Sequence, residues 1–71
     1  MIIRTSIDLG NALRARRREL DLTQEEVAGV IGVNRRVIGE LEGGKGTVQL
    51  RIAMEVARVL GLDIELEPRG K

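Results

Sequence analysis

A chain of 71 residues with 12 basic and 11 acidic side chains has room for one modest core, and its formal charge of +1 excludes an indiscriminate polycation. It contains no cysteine and no histidine, which removes disulfide scaffolds, thiolate zinc sites and the usual proton-transfer chemistry. Phe, Tyr and Trp are absent too, so platforms for stacking single-stranded bases are missing, while duplex DNA is still allowed as a partner.

The opening Met1-Ile2-Ile3-Arg4 has no long apolar continuation, and no window approaches the ~20 apolar residues of a membrane span. A soluble, cytoplasmic protein with a single domain over residues 1–71 is therefore expected. Residues 5–20 place Leu9, Ala12, Leu13 and Leu20 at helical spacing, with Thr5 or Ser6 to cap and Asp8 in the first turn. At Leu22 the pattern restarts. Thr23-Gln24-Glu25-Glu26 reads as a capping box, and Leu22 with Val27 as a hydrophobic staple, so a second helix is predicted over 24–31, stopped by Gly32.

The same start signal recurs at once, with Asn34 as N-cap and Val33 and Ile38 at staple positions, predicting a third helix over 35–42 that ends by Gly43-Gly44. Thr47 is placed to cap a fourth helix over 48–60, whose face is formed by Leu50, Ala53, Val56, Ala57 and Leu60 and whose stop is Gly61. Leu62, Ile64 and Leu66 then alternate with Asp63, Glu65 and Glu67 before Pro68, the period of a half-buried strand over 62–67. One strand has no sheet partner within such a chain, so Leu62, Ile64 and Leu66 are read as a dimer interface in which two copies pair their strands. The fold class expected is all-α, four helices with a short C-terminal β-strand paired across a homodimer.

Residues 23–45, TQEEVAGVIGVNRRVIGELEGGK, space Val27, Ile31, Val33, Ile38 and Leu41 for two short helices crossing steeply around a turn, with Ala28 small at the crossing and Gly32 in the turn. Such a unit presents its second helix to a major groove. The TQEEVA start, the GVN turn and the IGELEGGK end resemble the phage-repressor-like, or xenobiotic-response-element, helix-turn-helix family over roughly residues 8–61. The ending VARVLGLDIELEP looks like that of the HipB-like subgroup, antitoxins whose C-terminal strands pair between subunits and which bind a kinase-fold toxin. That resemblance implies a repressor of transcription, double-stranded DNA with a near-palindromic operator as ligand, and a HipA-like toxin as a further partner.

It also implies a phosphate contact from Gln24 and groove-facing positions for Arg35, Arg36, Val37 and Glu40, beside the cap Asn34. The residue chemistry agrees. Arg35 and Arg36 stand where a guanidinium fork addresses guanine N7 and O6 or grips a phosphate, and Val37 suits a thymine methyl. Glu40 either accepts from cytosine N4 or holds an arginine one turn away by an ion pair, the second being favoured. Gly39 either permits close DNA approach or is a tolerated surface residue.

The run Arg14, Arg16, Arg17 and Arg18 reads first as a solvated helix face, with a phosphate-facing or toxin-facing patch as the alternative. An enzyme lacks its parts: no nucleophile with a base, no phosphate loop and no metal set, and adjacent Glu25 and Glu26 do not face each other on a helix. No cofactor is expected. The rival from another class is a protein-interaction antitoxin that neutralises a toxin without binding DNA, against which the presence of Gln24, Arg35 and Arg36 counts.

Overall fold

The computed structural model describes Met1–Gly70 as four helices: α1 (Ser6–Glu19), α2 (Gln24–Ile31), α3 (Arg35–Glu42) and α4 (Leu50–Val59). Each start has a local cause. Of the two candidate caps for α1, Thr5 is used: its hydroxyl accepts from the Asp8 N–H, and the Asp8 carboxylate accepts from the N–H groups of Arg4 and Thr5. At α2, Thr23 Oγ1 accepts from the Glu26 N–H at 3.0 Å and Glu26 returns the bond to the Thr23 N–H at 2.8 Å. A cap of this kind contributes about 1 kcal/mol.

Helix ends follow left-handed residues. Asp21 takes φ 56° and its N–H reaches the Arg18 carbonyl while that of Leu22 reaches Arg17, a Schellman arrangement without glycine. Gly32, at φ 86°, lets its own N–H and that of Val33 both return to the Ala28 carbonyl, so the chain turns into α3 within two residues. Asn34 then caps α3 by accepting from the Arg36 N–H at 2.8 Å.

Two expectations change. Helix four does not start at 48 under a Thr47 cap: Gln49 holds the N-cap position with no side-chain cap bond. The reason is the turn before it, where the Val48 N–H returns to the Lys45 carbonyl, so helical bonding begins with Ile52 and Ala53 on Gln49. The strand over 62–67 is not formed either, since no strand occurs among the described residues. Its first residue is instead engaged in ending α4, with the Leu62 N–H on the Ala57 carbonyl at 2.9 Å and its side chain half-buried against the chain's own core.

The core is made of Leu13 from α1, Val27 and Ala28 from α2, Ile38 and Leu41 from α3, Ile52, Ala53, Val56 and Ala57 from α4, and Leu60 just beyond it. Burying a residue such as Leu13, Ile38 or Leu60 completely contributes about 1.5–3 kcal/mol. Helix α3 packs on α1 and α2, and α2 also packs on α4. The α1–α3 approach is set by Gly10: a Cβ there would lie 2.5 Å from the Leu41 carbonyl oxygen and 2.6 Å from that of Glu42. Among the described residues no helix is long and apolar enough to cross a membrane.

Candidate nucleic-acid interface

The first turn of α3 carries Arg35, Arg36 and Val37, half of the DNA-site residues singled out in the sequence. Arg35 and Arg36 are exposed and make no ion pair among the described residues, so both guanidinium groups are available to a ligand. Asn34 is exposed; its Oδ1 already accepts the capping bond from the Arg36 N–H, and its amide donors have no partner among the described residues. Val37 is half-buried and packs against the core, so part of its methyl surface is already covered. Glu40 does not hold Arg36. Its Oε2 accepts from Lys45 Nζ at 3.3 Å, because the turn after α3 brings that lysine back beside it. Gly39 lies under Gln24, where an added Cβ would meet the side-chain oxygen at 3.6 Å, an ordinary contact.

Gln24, the first residue of α2, is linked to the far end of α3. Its Nε2 donates to Glu42 Oε1 at 3.0 Å, and that carboxylate is the hub of the region. Arg17 grips Glu42 with a two-pronged fork, Nε to Oε2 at 2.6 Å and Nη2 to Oε1 at 3.0 Å, and uses Nη1 on the Leu22 carbonyl at 2.7 Å. Arg14 Nε stands 3.6 Å from Glu42 Oε1. Burial pushes the Glu42 carboxyl up, but the hydrogen bonds from Arg17 and Gln24 and the charges of Arg17 and Arg14 outweigh it and hold the pKa below the usual carboxylate value. The same hydrogen bond to Glu42 raises Arg17 further.

The arginine run is thus only in part a solvated face. Arg17 is only 8% exposed and Arg16 donates to the Leu60 carbonyl at 3.0 Å, tying α1 to the end of α4, whereas Arg18 is exposed. A signal was available: Arg17 stands four residues after Leu13, and Glu42 four after Ile38, so both charges fall on core-facing stripes. Ser6 adds a third tie, its hydroxyl donating to the Gly44 carbonyl at 2.8 Å. The result is a set of ties from α1 to the ends of α3 and α4. No group of three or more Asp, Glu, His or Cys side chains among the described residues is placed to hold a metal ion.

Two short helices around a left-handed glycine, the second with an exposed basic first turn, define a helix-turn-helix unit. A helix-turn-helix family profile matches residues 13–66, and the chain belongs to that family, in its xenobiotic-response-element type. A transcriptional regulator of helix-turn-helix type from Sinorhizobium fredii, y4mF, is 41% identical over 69 residues, covering 97% of this chain and 91% of the relative. Another, from Methanothermobacter thermautotrophicus, is 47% identical over 49 residues, 69% of this chain and 71% of the relative. Among solved structures, HipB in a complex with an O4 20mer matches with a TM-score of 0.89 at 25% identity over 97% of both chains. HipB in the HipA-HipB-O2-O3 complex gives the same TM-score, identity and coverage. The likeness thus extends to the HipB-like subgroup.

Proposed function

We propose that this protein is a sequence-specific, duplex-DNA-binding repressor of transcription that works in the cytoplasm as a homodimer. The observation that carries the reading is the exposed pair Arg35 and Arg36 on the first turn of α3, without an ion pair among the described residues, in a chain that overlays HipB over 97% of its length. Arg35 and Arg36 read base edges, Val37 offers its uncovered methyl surface to thymine, and Glu40, held by Lys45, borders the groove. Gln24 and the amide of Asn34 address phosphates and orient the helix without reading sequence.

The homodimer forms by pairing of residues 62–67 between two copies. Ile64 is 47% exposed and Leu66 93% exposed in the single chain, an apolar pair that a partner would cover, and Leu62 anchors the segment to its own domain. Two recognition helices then meet a near-palindrome with half-site centres about 34 Å apart. The likeness to HipB in the HipA-HipB-O2-O3 complex supports a second partner, a HipA-like kinase-fold toxin, which makes the chain an antitoxin as well.

Competition binding on cognate and scrambled duplexes tests the DNA reading. Arg36→Ala is expected to cost roughly 1–3 kcal/mol on the cognate site and much less on scrambled DNA, whereas Gln24→Ala weakens both alike and leaves the salt slope nearly unchanged. Equal loss on both duplexes for Arg36→Ala makes it a phosphate clamp and moves base readout to Arg35, Val37 or Glu40. No salt-dependent duplex binding by the wild-type chain would leave the toxin-neutralising module as the function.

A further inference from the structure

Apolar surface stays uncovered on two separate parts of the chain. Met1, Ile2 and Ile3 precede α1 without regular structure, are exposed, and add nothing to the core. Leu22, Val27, Gly29, Val30 and Val59 line an open groove of about 430 Å³ between α2 and the last turn of α4, and the charged residue of that lining is Glu26. Val30 is 70% exposed, and the space over Gly29 is empty, since a Cβ there would meet nothing within 4 Å.

Charge selects the occupant. From Glu19 to Asn34 the chain carries Glu19, Asp21, Glu25 and Glu26 and no lysine or arginine, so this flank repels phosphate and favours a cation. Ile64 and Leu66 alternate with Asp63, Glu65 and Glu67, which would bring like charge to Glu26. Met1-Ile2-Ile3 is followed instead by Arg4, exposed and without an ion pair among the described residues. Reach then excludes the chain's own groove. Helix α1, with 14 residues and so about 21 Å long, separates Thr5 from the turn that carries Leu22, whereas Ile2 to Thr5 spans at most about 11 Å.

We infer that the groove between α2 and α4 receives the segment Met1–Arg4 of a second copy of this chain, with Ile2 and Ile3 entering between Val30 and Val59 and Arg4 lying against Glu26. The inference rests on the homodimer reading and adds to it a contact separate from the pairing of residues 62–67. Val59 stands three residues before Leu62, so the groove adjoins that segment. A two-fold axis makes the exchange reciprocal, each copy giving one segment and taking one.

The chain contains no cysteine, so single introduced ones each report one contact. Ile2→Cys chains carrying a mass tag are mixed with Val30→Cys chains, left to exchange subunits and oxidised. The mixed disulfide should be the main product, whereas Ile2→Cys with Leu50→Cys, an exposed apolar position on α4, should give little. Equal yields with the two partners overturn the assignment. Sedimentation equilibrium supplies a second readout. Each dimer of Ile2→Asp or Val30→Asp loses apolar burial at two grooves, so its dissociation constant should rise at least about 10-fold. A dimer as tight as wild type in either variant overturns the inference and leaves the pairing of residues 62–67 standing. A wild-type chain that stays monomeric at every concentration overturns the homodimer reading itself. Ile2 lies outside the core, so Ile2→Asp keeps the fold and decides the matter even where Val30→Asp does not fold.

Discussion

Glu42→Ala is the sharpest perturbation of the ties between α1 and α3. The Glu42 side chain is 1% exposed and that of Arg17 10% exposed, and removing the carboxylate leaves the Arg17 guanidinium buried with the Leu22 carbonyl, at 2.7 Å, as its remaining partner. Breaking a buried pair from one side costs about 3–5 kcal/mol, because the orphaned charge stays desolvated. At roughly 4–8 °C per kcal/mol for a domain of this size, the melting temperature should fall by at least about 12 °C. Small domains carry about 5 kcal/mol of stability or little more, so the variant should keep only about 0–2 kcal/mol at room temperature. The paired replacement Arg17→Met with Glu42→Leu removes both charges and should recover most of the loss. Thermal melts followed by circular dichroism decide: a fall under about 4 °C for Glu42→Ala would mean the pair is solvated and the reasoning wrong. Acid supplies a second arm. Glu42 has its pKa depressed in the fold, so its contribution is fully present above the unfolded value of about 4.5 and is lost as pH falls through the folded value. The wild-type melting temperature should therefore drop more steeply below that pH than that of the doubly apolar variant.

Two glycines inside helices should respond in opposite senses to alanine. Gly10→Ala drives a methyl into the Leu41 and Glu42 carbonyls and should destabilise by about 1–3 kcal/mol, whereas Gly29→Ala, with nothing within 4 Å, should stabilise by up to about 1 kcal/mol, both read from denaturant melts. Thr23→Ala removes half of the capping box of α2 and should cost about 1 kcal/mol; an unchanged midpoint would show the cap to be idle. Ile64→Asp puts a charge into the proposed inter-subunit strand and should yield a monomer with weakened duplex binding. Sedimentation that still finds a wild-type dimer places the interface elsewhere.

The chain's order of residues by itself determined what depends on neighbours a few positions apart. Thr23 with Glu26, Asn34 before Arg35, and Gly32 between them are local signals, and α2 and α3 begin and end where those signals stand. The exposed position of Arg35 and Arg36 follows for the same reason, since a residue's place within the first turn decides which way it points. Tertiary structure decided what depends on contacts far along the chain. Arg17 and Glu42 lie 25 residues apart, and only the closeness of α1 to α3 that Gly10 allows turns two ordinary charges into a buried pair. Glu40 faces Lys45 rather than Arg36 because the turn after α3 folds the lysine back. Alternation from Leu62 to Leu66 describes a half-buried strand but provides no partner, because a strand exists only through hydrogen bonds to another one, and the described residues of a single chain supply none.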